Sequence, residues 1–178
     1  YFRNHWQGEM SKYRYSGPAL IDEINNLKPR RVLDIGCGYH EFKGKIDNIV
    51  GIDPYNSAAD YEVKLLDYNP TEKFDATLAL GSINFGSTDK IFAELEHAVK
   101  LCNPGAVMFF RANPGLPHDE TDRPDSKNHS KWIYFYPWDS NFIVNCADQL
   151  GVDILDIRTD SFRNRLYFVW RTNNTYNN

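Results

Sequence analysis

The chain has 178 residues, of which 42% are hydrophobic and 25% charged, and its formal net charge is −4. This composition is typical of one soluble globular domain, and the length is too short for two. The net negative charge argues against nucleic acid or an anionic membrane as partners, because both need a concentrated positive field, and no apolar run approaches the ~20 residues of a membrane span.

Helix-like and strand-like runs alternate along the first half of the chain. Gly17-Pro18 predicts the start of a helix that leads into the first strand. The four strands predicted in this half lie at Val32–Ile35, 48–53, 62–68 and 74–82. The interval between Gly38 and the second strand is short, so it is predicted to hold a helix of only about two turns.

The second half continues the alternation with one interruption. A helix over 87–102 has Thr88 as its candidate N-cap, a turn follows at 103–105, and 106–111 is a fifth strand. The polar, proline-containing segment 112–131 has the length of a lid or binding loop. A helix between Asp139 and Gly151 then precedes two closing strands, 152–160 and 165–172, which are predicted to pair antiparallel because their joint is short.

This alternation predicts an α/β fold with a mostly parallel sheet, in which ligands bind at the carboxyl ends of the strands. Four features fall at those ends: Asp34-Ile35-Gly36-Cys37-Gly38, Asp53, Asp67 with Tyr68, and Gly81-Ser82. Glycines permit a tight turn against a ligand, a carboxylate after the second strand can accept hydrogen bonds from a ribose diol, and one after the third can accept from an exocyclic amine.

The glycine loop does not suit a dinucleotide. A dinucleotide loop needs G-x-G-x-x-G so that a helix N-terminus can approach the pyrophosphate. Here the sixth position is Glu41, which repels phosphate, and Tyr39-His40 is bulky. A P-loop is excluded because the GxxxxGK[ST] pattern is absent.

At these residues the sequence resembles the class I S-adenosylmethionine-dependent methyltransferases. "VLDIGCG" is close to the first motif of that family, and "VGIDPY", "LLDY", "FDATLALGSINF" and "LCNPGAVMFF" follow in the expected order between Pro29 and Arg111. The resemblance implies one Rossmann-like domain over 1–178 with a seven-stranded sheet in the order 3-2-1-4-5-7-6, strand 7 antiparallel, and helices on both faces. It also implies N-terminal cap helices in 1–28, in which Trp6, Tyr13 or Arg14 would cover the cofactor, and a lid-like substrate loop at 112–137.

The resemblance implies S-adenosylmethionine as the cofactor. The loop Gly36–Gly38 would pass its methionine part, Asp53 would hold the ribose hydroxyls, and Pro54 would pack on the adenine. Asp67 and Tyr68 would contact the adenine, and Gly81-Ser82 would lie near the amino group. The implied binding set is Asp34, Gly36, Cys37, Gly38, His40, Asp53, Pro54, Asp67, Tyr68, Gly81 and Ser82.

His40 departs from the family pattern, which has a small residue at this position. Three interpretations are open: the side chain points into the site, it turns outward or caps the short helix, or the loop is degenerate and binding is lost. The second is favoured.

No catalytic residue is predicted, because methyl transfer from a sulfonium depends mainly on positioning. Candidate substrate contacts are Asn84, Phe85, Arg111 and Tyr134. Asn84 has an ordinary loop amide as its alternative role. Arg111 either binds a carboxylate or phosphate or pairs with the acidic loop. Tyr134 belongs to an aromatic run, 132–138, that either walls a pocket or packs on the core, and packing is favoured.

No metal site is predicted. The three cysteines Cys37, Cys102 and Cys146 lie far apart without a CxxC pair, which argues against a disulfide framework or a zinc site and favours a reduced, cytoplasmic compartment. His118 and His129 lie in a loop that is interpreted as solvated rather than metal-binding.

The sequence therefore predicts methyl transfer from S-adenosylmethionine to a small-molecule acceptor. One alternative is a protein or nucleic-acid methyltransferase with a local basic patch such as Lys43 with Lys45. The other is a methyltransferase-like binding protein without activity. The acceptor and the oligomeric state are not predicted.

Overall fold

A computed structural model of the chain describes residues 17–114, 136, 138–160 and 165–173. The helices are α1 (Pro18–Asn26), α2 (Thr88–Lys100) and α3 (Ser140–Leu150). The strands are β1 (Val32–Ile35), β2 (Ile49–Ile52), β3 (Phe74–Leu80), β4 (Cys102–Ala112), β5 (Val152–Asp160) and β6 (Arg165–Thr172). Within these ranges no helix has the length and apolar character required to cross a membrane.

The six strands form one mixed sheet in the order β2-β1-β3-β4-β6-β5. The strands β2, β1, β3 and β4 pair in parallel, whereas β6 is antiparallel to both β4 and β5. The antiparallel pairing of the last two strands is confirmed. The parallel part places the ends of β1, β2, β3 and β4 along one edge, which is called the carboxyl edge below.

The prediction of seven strands in the order 3-2-1-4-5-7-6 is wrong, because the described part of the chain has no strand at 62–68. Only a bridge between Ile52 and Tyr61 extends the sheet beyond β2. A short 3-10 helix, Leu65–Asp67, follows instead. Leu65 and Tyr68 are buried, and this spacing of three suits a helical turn, whereas a strand would bury alternate residues.

The predicted two-turn helix after Gly38 is also wrong. Residues 38–45 form consecutive turns, closed by hydrogen bonds such as those from Lys43 N to His40 O and from Ile46 N to Phe42 O. Gly44 and His40 both have positive φ angles, 77° and 55°. Such angles interrupt a right-handed helix, so this segment returns to β2 through turns.

Alternation along the strands divides the core between the two faces of the sheet. Leu33 and Met108 belong to a large cluster with α2 and α3, whereas their neighbours Val32 and Phe109 belong to a smaller cluster with α1. Period-two alternation in a sheet covered on both faces requires this division. Helices therefore lie on both faces, as predicted.

Capping residues in the sequence predict the ends of α3 and, to within one residue, the start of α2. The predicted N-cap Asp139 accepts a hydrogen bond from Phe142 N, and Gly151 ends α3 with a left-handed φ of 64°. The N-cap of α2 is Ser87, which accepts from Lys90 N, so the assignment to Thr88 is wrong by one residue. The predicted turn at 103–105 lies within β4, at a register shift against β3.

Candidate functional site

The loop after β1 is built on two glycines in the left-handed region. Gly36 and Gly38 have φ angles of 69° and 56°. Gly36 N and Cys37 N both donate to Ile52 O, at 2.8 and 3.0 Å, so the loop crosses from the end of β1 to the end of β2. The loop therefore lies at the carboxyl edge, where Gly36 is half-buried and Cys37 and Gly38 are buried.

Gly36 also lies directly against the end of β3. A Cβ atom added at Gly36 would stand 2.3 Å from Ser82 Cβ and 3.1 Å from Ser82 Oγ. The Ser82 hydroxyl donates to Ile35 O, which holds the two strand ends together. The structure thus brings together Gly36 and Ser82, two residues of the predicted binding set, and only glycine fits at the first.

The Asp53 carboxylate fastens the loop from the second strand. Its Oδ2 accepts from Gly38 N at 3.1 Å, and its Oδ1 accepts from Tyr55 N at 2.8 Å. Pro54 follows it at the same edge and is half-buried. A carboxylate oxygen has two acceptor positions, so each oxygen retains one for a further donor.

Asp34 lies beneath this loop, near the end of β1, and is 4% exposed. Burial, with the neighbouring charges of Asp53 and Glu41, raises its pKa to about 7. Removal of a carboxylate from water disfavours its charged form, and nearby like charges add to this effect. The site thus contains a buried carboxyl group that titrates near neutral pH.

His40 does not turn outward, and that favoured interpretation is wrong. The residue is 4% exposed, and its ring lies over β2, where a Cβ added at Gly51 would meet His40 Nε2 at 2.7 Å. Its Nδ1 is 3.6 Å from Asp60 Oδ2, and neither ring nitrogen has a hydrogen-bond partner among the described residues. Burial lowers the pKa of this histidine, although Asp60 acts in the opposite direction.

Asp60 is the residue that sequence reasoning missed. Its Oδ2 accepts from Gly51 N at 2.9 Å, and its Oδ1 pairs with Lys43 Nζ. One carboxylate therefore joins the end of β2, the turns after the glycine loop and the His40 ring. Asp60 lies in the irregular stretch 53–60, seven residues after Asp53, and no strand end or glycine motif beside it marks it as a site residue.

Asp67 is exposed at the end of the 3-10 helix, and Tyr68 is buried. The Tyr68 ring is buried between Tyr61 and Phe74, at centroid distances of 5.5 and 6.4 Å, and the Tyr68 carbonyl contacts His97 Nε2 at 3.0 Å. Phe74 begins β3, so Tyr68 faces the amino end of that strand. Both assignments relied on a third strand that the described residues do not form, and the contact of Asp67 and Tyr68 with adenine stays a prediction.

Arg111 lies at the carboxyl edge beside β3. Its Nη2 donates to Leu80 O at 2.7 Å, and the same atom would be 3.4 Å from a Cβ at Gly81. The guanidinium thus covers the residue that precedes Ser82. Phe85 is half-buried, and its carbonyl accepts from Lys90 Nζ at 3.1 Å. Both candidate substrate residues therefore lie beyond the glycine loop, on the side of β3 and β4.

Asn84 joins three segments at this edge. Its Oδ1 accepts from Asn113 N at 3.1 Å, and its carbonyl accepts from Tyr136 N at 2.9 Å. Asn113 O in turn accepts from Trp138 N at 3.2 Å. The side-chain amide of Asn84 therefore ties the loop after β3 to Asn113, and its backbone carbonyl ties the same loop to Tyr136.

Asn84→Ala should lower the free energy of unfolding by about 1–2 kcal/mol, because it leaves the buried Asn113 N–H without its acceptor. Urea unfolding measures the effect. Asn69→Ala, at an exposed amide, is the control and should change stability by less than about 0.5 kcal/mol. Equal effects of the two substitutions would contradict the role of Asn84 as a structural tether.

Other predicted features lie outside the described residues. These are Tyr134, the candidate cap residues of 1–16, and most of the loop 112–137. In the part of the chain that the structure describes, no three His, Cys, Asp or Glu side chains are grouped so that they could hold a metal ion. All three cysteines are buried and unpaired.

Comparisons with known proteins find similarity in structure only. No protein family model matches the sequence, and no curated protein matches it. Among solved structures, the 1,6-didemethyltoxoflavin N1-methyltransferase of Burkholderia thailandensis superposes with a TM-score of 0.65 and 12% identity over 88% of this chain and 76% of that one. The magnesium protoporphyrin IX methyltransferase of Synechocystis PCC 6803 superposes with a TM-score of 0.64 and 13% identity. That match covers 86% of this chain and 80% of the other.

An O-methyltransferase family protein of Burkholderia thailandensis gives a TM-score of 0.61 at 13% identity. The match covers 87% of this chain and spans 55% of the length of that protein. Identities this low establish the shared fold alone. The strand order, the glycine loop after β1 and these superpositions together show that the chain has the Rossmann-like fold of the class I S-adenosylmethionine-dependent methyltransferases.

Proposed function

We propose that the protein binds S-adenosylmethionine at the carboxyl edge and transfers its methyl group to a small-molecule acceptor. The observation that carries the proposal is the loop Gly36–Gly38, fastened at its two ends by Ser82 and Asp53. A Cβ at Gly36 would collide with Ser82, so the ends of β1 and β3 meet closely at this loop, and ligands of such sheets bind at the carboxyl ends of the strands. The cofactor has no phosphate, so the absence of a third glycine does not count against it.

In this proposal each residue has a positioning role. The loop backbone holds the methionine part, the remaining acceptor positions of Asp53 take the ribose hydroxyls, and Pro54 packs beside the adenine. Arg111 and Phe85 lie on the acceptor side. When bound, the cofactor supplies an activated methyl group on a sulfonium, and in-line transfer then depends mainly on holding the acceptor in line.

Two observations support a small-molecule acceptor. The structural neighbours include proteins named for methylation of 1,6-didemethyltoxoflavin and of magnesium protoporphyrin IX, both small molecules. A nucleic-acid acceptor would need a basic patch such as Lys43 with Lys45 for its phosphates, and Lys43 is already paired with Asp60.

Asp53→Ala should weaken the binding of S-adenosylhomocysteine by about tenfold or more, because a charged acceptor of two hydrogen bonds is lost. Isothermal titration calorimetry measures the dissociation constant. Asp67→Ala is the matched control, since this carboxylate was also predicted to bind cofactor but is exposed at the end of the 3-10 helix. Its affinity should stay within about twofold of wild type.

Thermal unfolding of both variants must accompany the titrations, because Asp53 also accepts from Gly38 N and Tyr55 N. Unchanged affinity in Asp53→Ala would refute the ribose assignment. A tenfold loss in Asp67→Ala would show that the adenine lies near the 3-10 helix after all. Failure of the wild type to bind S-adenosylmethionine or S-adenosylhomocysteine at millimolar concentration would refute the assignment of the cofactor.

A binding protein without activity is the second candidate. It is favoured by the segment after the glycine loop, where residues 38–45 form turns instead of the predicted helix. Both carboxylate oxygens of Asp53 also already accept from the backbone. Turnover separates the two candidates, because an enzyme converts S-adenosylmethionine to S-adenosylhomocysteine in the presence of an acceptor, whereas a binding protein retains the donor unchanged.

A further inference from the structure

The turn at the end of the glycine loop is packed against β2 through both of its end residues. His40 N donates to Cys37 O at 2.9 Å, so residues 37–40 form one turn. Both end side chains lie on the same residue of β2, because a Cβ added at Gly51 would meet His40 Nε2 at 2.7 Å and Cys37 Sγ at 2.8 Å. Both are buried. Gly51 therefore provides the room in which the two ends of the turn pack together.

Asp60 faces a different atom of the same imidazole ring. Its Oδ2 accepts from Gly51 N at 2.9 Å and lies 3.6 Å from His40 Nδ1, while its Oδ1 pairs with Lys43 Nζ. The ring is thus enclosed by Gly51, Cys37 and Asp60. It lies on β2 beneath the turn and is withdrawn from the surface on which a ligand of the loop would bind.

His40 is unfavourable for stability in two respects. Its φ of 55° is in the left-handed region, which a side chain disfavours, and neither ring nitrogen has a hydrogen-bond partner among the described residues. A glycine at this position would avoid both costs. Strained residues and unpartnered buried polar groups concentrate at functional sites, where the surrounding structure maintains them. The packing of the ring is therefore better explained by a role in the glycine loop than by stability.

We propose that His40 is a positioning residue, whose ring holds the loop Gly36–Gly38 in the conformation that binds the methyl donor and its product. The inference rests on the proposed function, because it takes these two ligands to bind at this loop. The ring acts through its contacts: it packs beside Cys37 on β2, and the turn then fixes the adjoining Gly38, whose N–H donates to Asp53.

The expected effect is one of conformational freedom. Without the ring, residues of the turn regain backbone freedom that a ligand must remove when it binds. Fixing the backbone of one residue changes an equilibrium constant by roughly tenfold. Loss of the ring should therefore weaken the binding of S-adenosylhomocysteine by about tenfold, because the free loop is no longer held in its binding conformation.

Two substitutions in the full chain test the role of the ring independently. His40→Asn removes the ring but retains a residue type that tolerates a left-handed φ. Gly51→Ala displaces the ring and leaves the loop sequence unchanged. Isothermal titration calorimetry with S-adenosylhomocysteine gives the dissociation constant, and amide hydrogen exchange followed by NMR reports on the loop itself. Each variant should bind about tenfold more weakly, and the amides of Cys37 and Gly38 should exchange at least tenfold faster in the free protein.

Val152→Ala is the control for a general loss of stability. Val152 is buried at the start of β5, opposite Thr172 and at the amino end of the sheet. Its truncation should lower the urea midpoint. The affinity for S-adenosylhomocysteine and the exchange rates of the loop amides should nevertheless change less than about twofold. Urea unfolding also verifies that each variant is folded under the conditions of the titration.

The outcomes separate the inference from the proposed function. Binding within about twofold of wild type in either folded variant would overturn the inference and leave the proposed function intact. Weaker binding without faster exchange of the loop amides would also overturn it, since His40 would then act on the ligand itself. An equal loss of affinity in Val152→Ala would have the same consequence. If the wild type fails to bind S-adenosylhomocysteine at millimolar concentration, the proposed function fails and the inference fails with it.

Discussion

Replacement of Gly36 by alanine should lower the free energy of unfolding by about 3 kcal/mol. About 1–2 kcal/mol comes from the left-handed φ of 69°. The rest comes from overpacking, because the new Cβ would lie 2.3 Å from Ser82 Cβ, an atom too close to the backbone to swing aside. Urea unfolding measures the loss.

Gly105→Ala separates these two contributions. Gly105 has a φ of 79°, but a Cβ added there would meet nothing within 4 Å, so only the backbone cost of about 1–2 kcal/mol remains. Gly36→Ala combined with Ser82→Gly should recover at least 1 kcal/mol in a double-mutant cycle, because the clashing atom is gone. A loss at Gly36 no larger than at Gly105 would contradict the close contact with β3.

Gly36→Ala should also abolish detectable binding of S-adenosylhomocysteine, because the β1 and β3 ends must separate to admit the new methyl group. Gly105→Ala should leave that affinity unchanged. Gly105 lies at the start of β4, at the amino end of the sheet, far from the proposed site. Retained binding in Gly36→Ala would place the ligand away from this loop.

Gly51→Ala should cost about 2–3 kcal/mol for a different reason. Its φ is not in the left-handed region, and the cost arises wholly from side chains: His40 Nε2 and Cδ2 and Cys37 Sγ would stand 2.7–2.8 Å from the new Cβ. These side chains are buried against β2 and have little room to move. Urea unfolding measures the loss, from the midpoint of the transition and the slope of the free energy of unfolding against urea concentration.

His40→Gly provides the matched test. It removes the ring that the new methyl group would strike and relieves a non-glycine residue from a φ of 55°. The cost of Gly51→Ala should therefore be smaller by at least 1 kcal/mol in the His40→Gly background than in wild type. Additive effects would show that the ring does not lie on β2.

His40 should also make the free energy of unfolding depend on pH, and His40→Gly removes this contribution. The folded protein holds its pKa below the ordinary 6.5, so the unfolded chain binds more protons as pH falls below that value. Wild-type stability should accordingly decline from about pH 6.5 downward, and His40→Gly should decline less over the same window. Identical pH profiles would indicate that the imidazole is protonated equally in both states.

Most regular elements could be predicted because their signals are local. The β1 strand is a short apolar run before a glycine turn, and α3 has a capping aspartate at one end and a glycine at the other. The antiparallel closing pair follows from the short joint between two strand-like segments. In each case the decisive interactions lie within a few residues of one another along the chain.

The prediction failed where one short segment was compatible with two structures. Residues 62–68 have both the apolar content of a strand and the spacing of a helical turn, and the burial of Leu65 with Tyr68 selects the turn. That choice places Asp67 and Tyr68 at the end of a 3-10 helix instead of at the end of a strand. Short apolar runs carry this ambiguity in general, because both periodicities fit so few residues.

The sequence by itself determined the alternating architecture, the glycine loop after β1 and the carboxylate after β2, because these depend on patterns within single segments. Only the tertiary structure decided that His40 packs inward on Gly51, that Asp60 holds that junction, and that Asn84 is a buried tether. These roles depend on partners that lie from 9 residues away, as for Asp60 and Gly51, to 52 residues away, as for Asn84 and Tyr136. Hydrogen bonds and close packing across such separations leave no periodic trace in the sequence, so they are set only when the strands assemble.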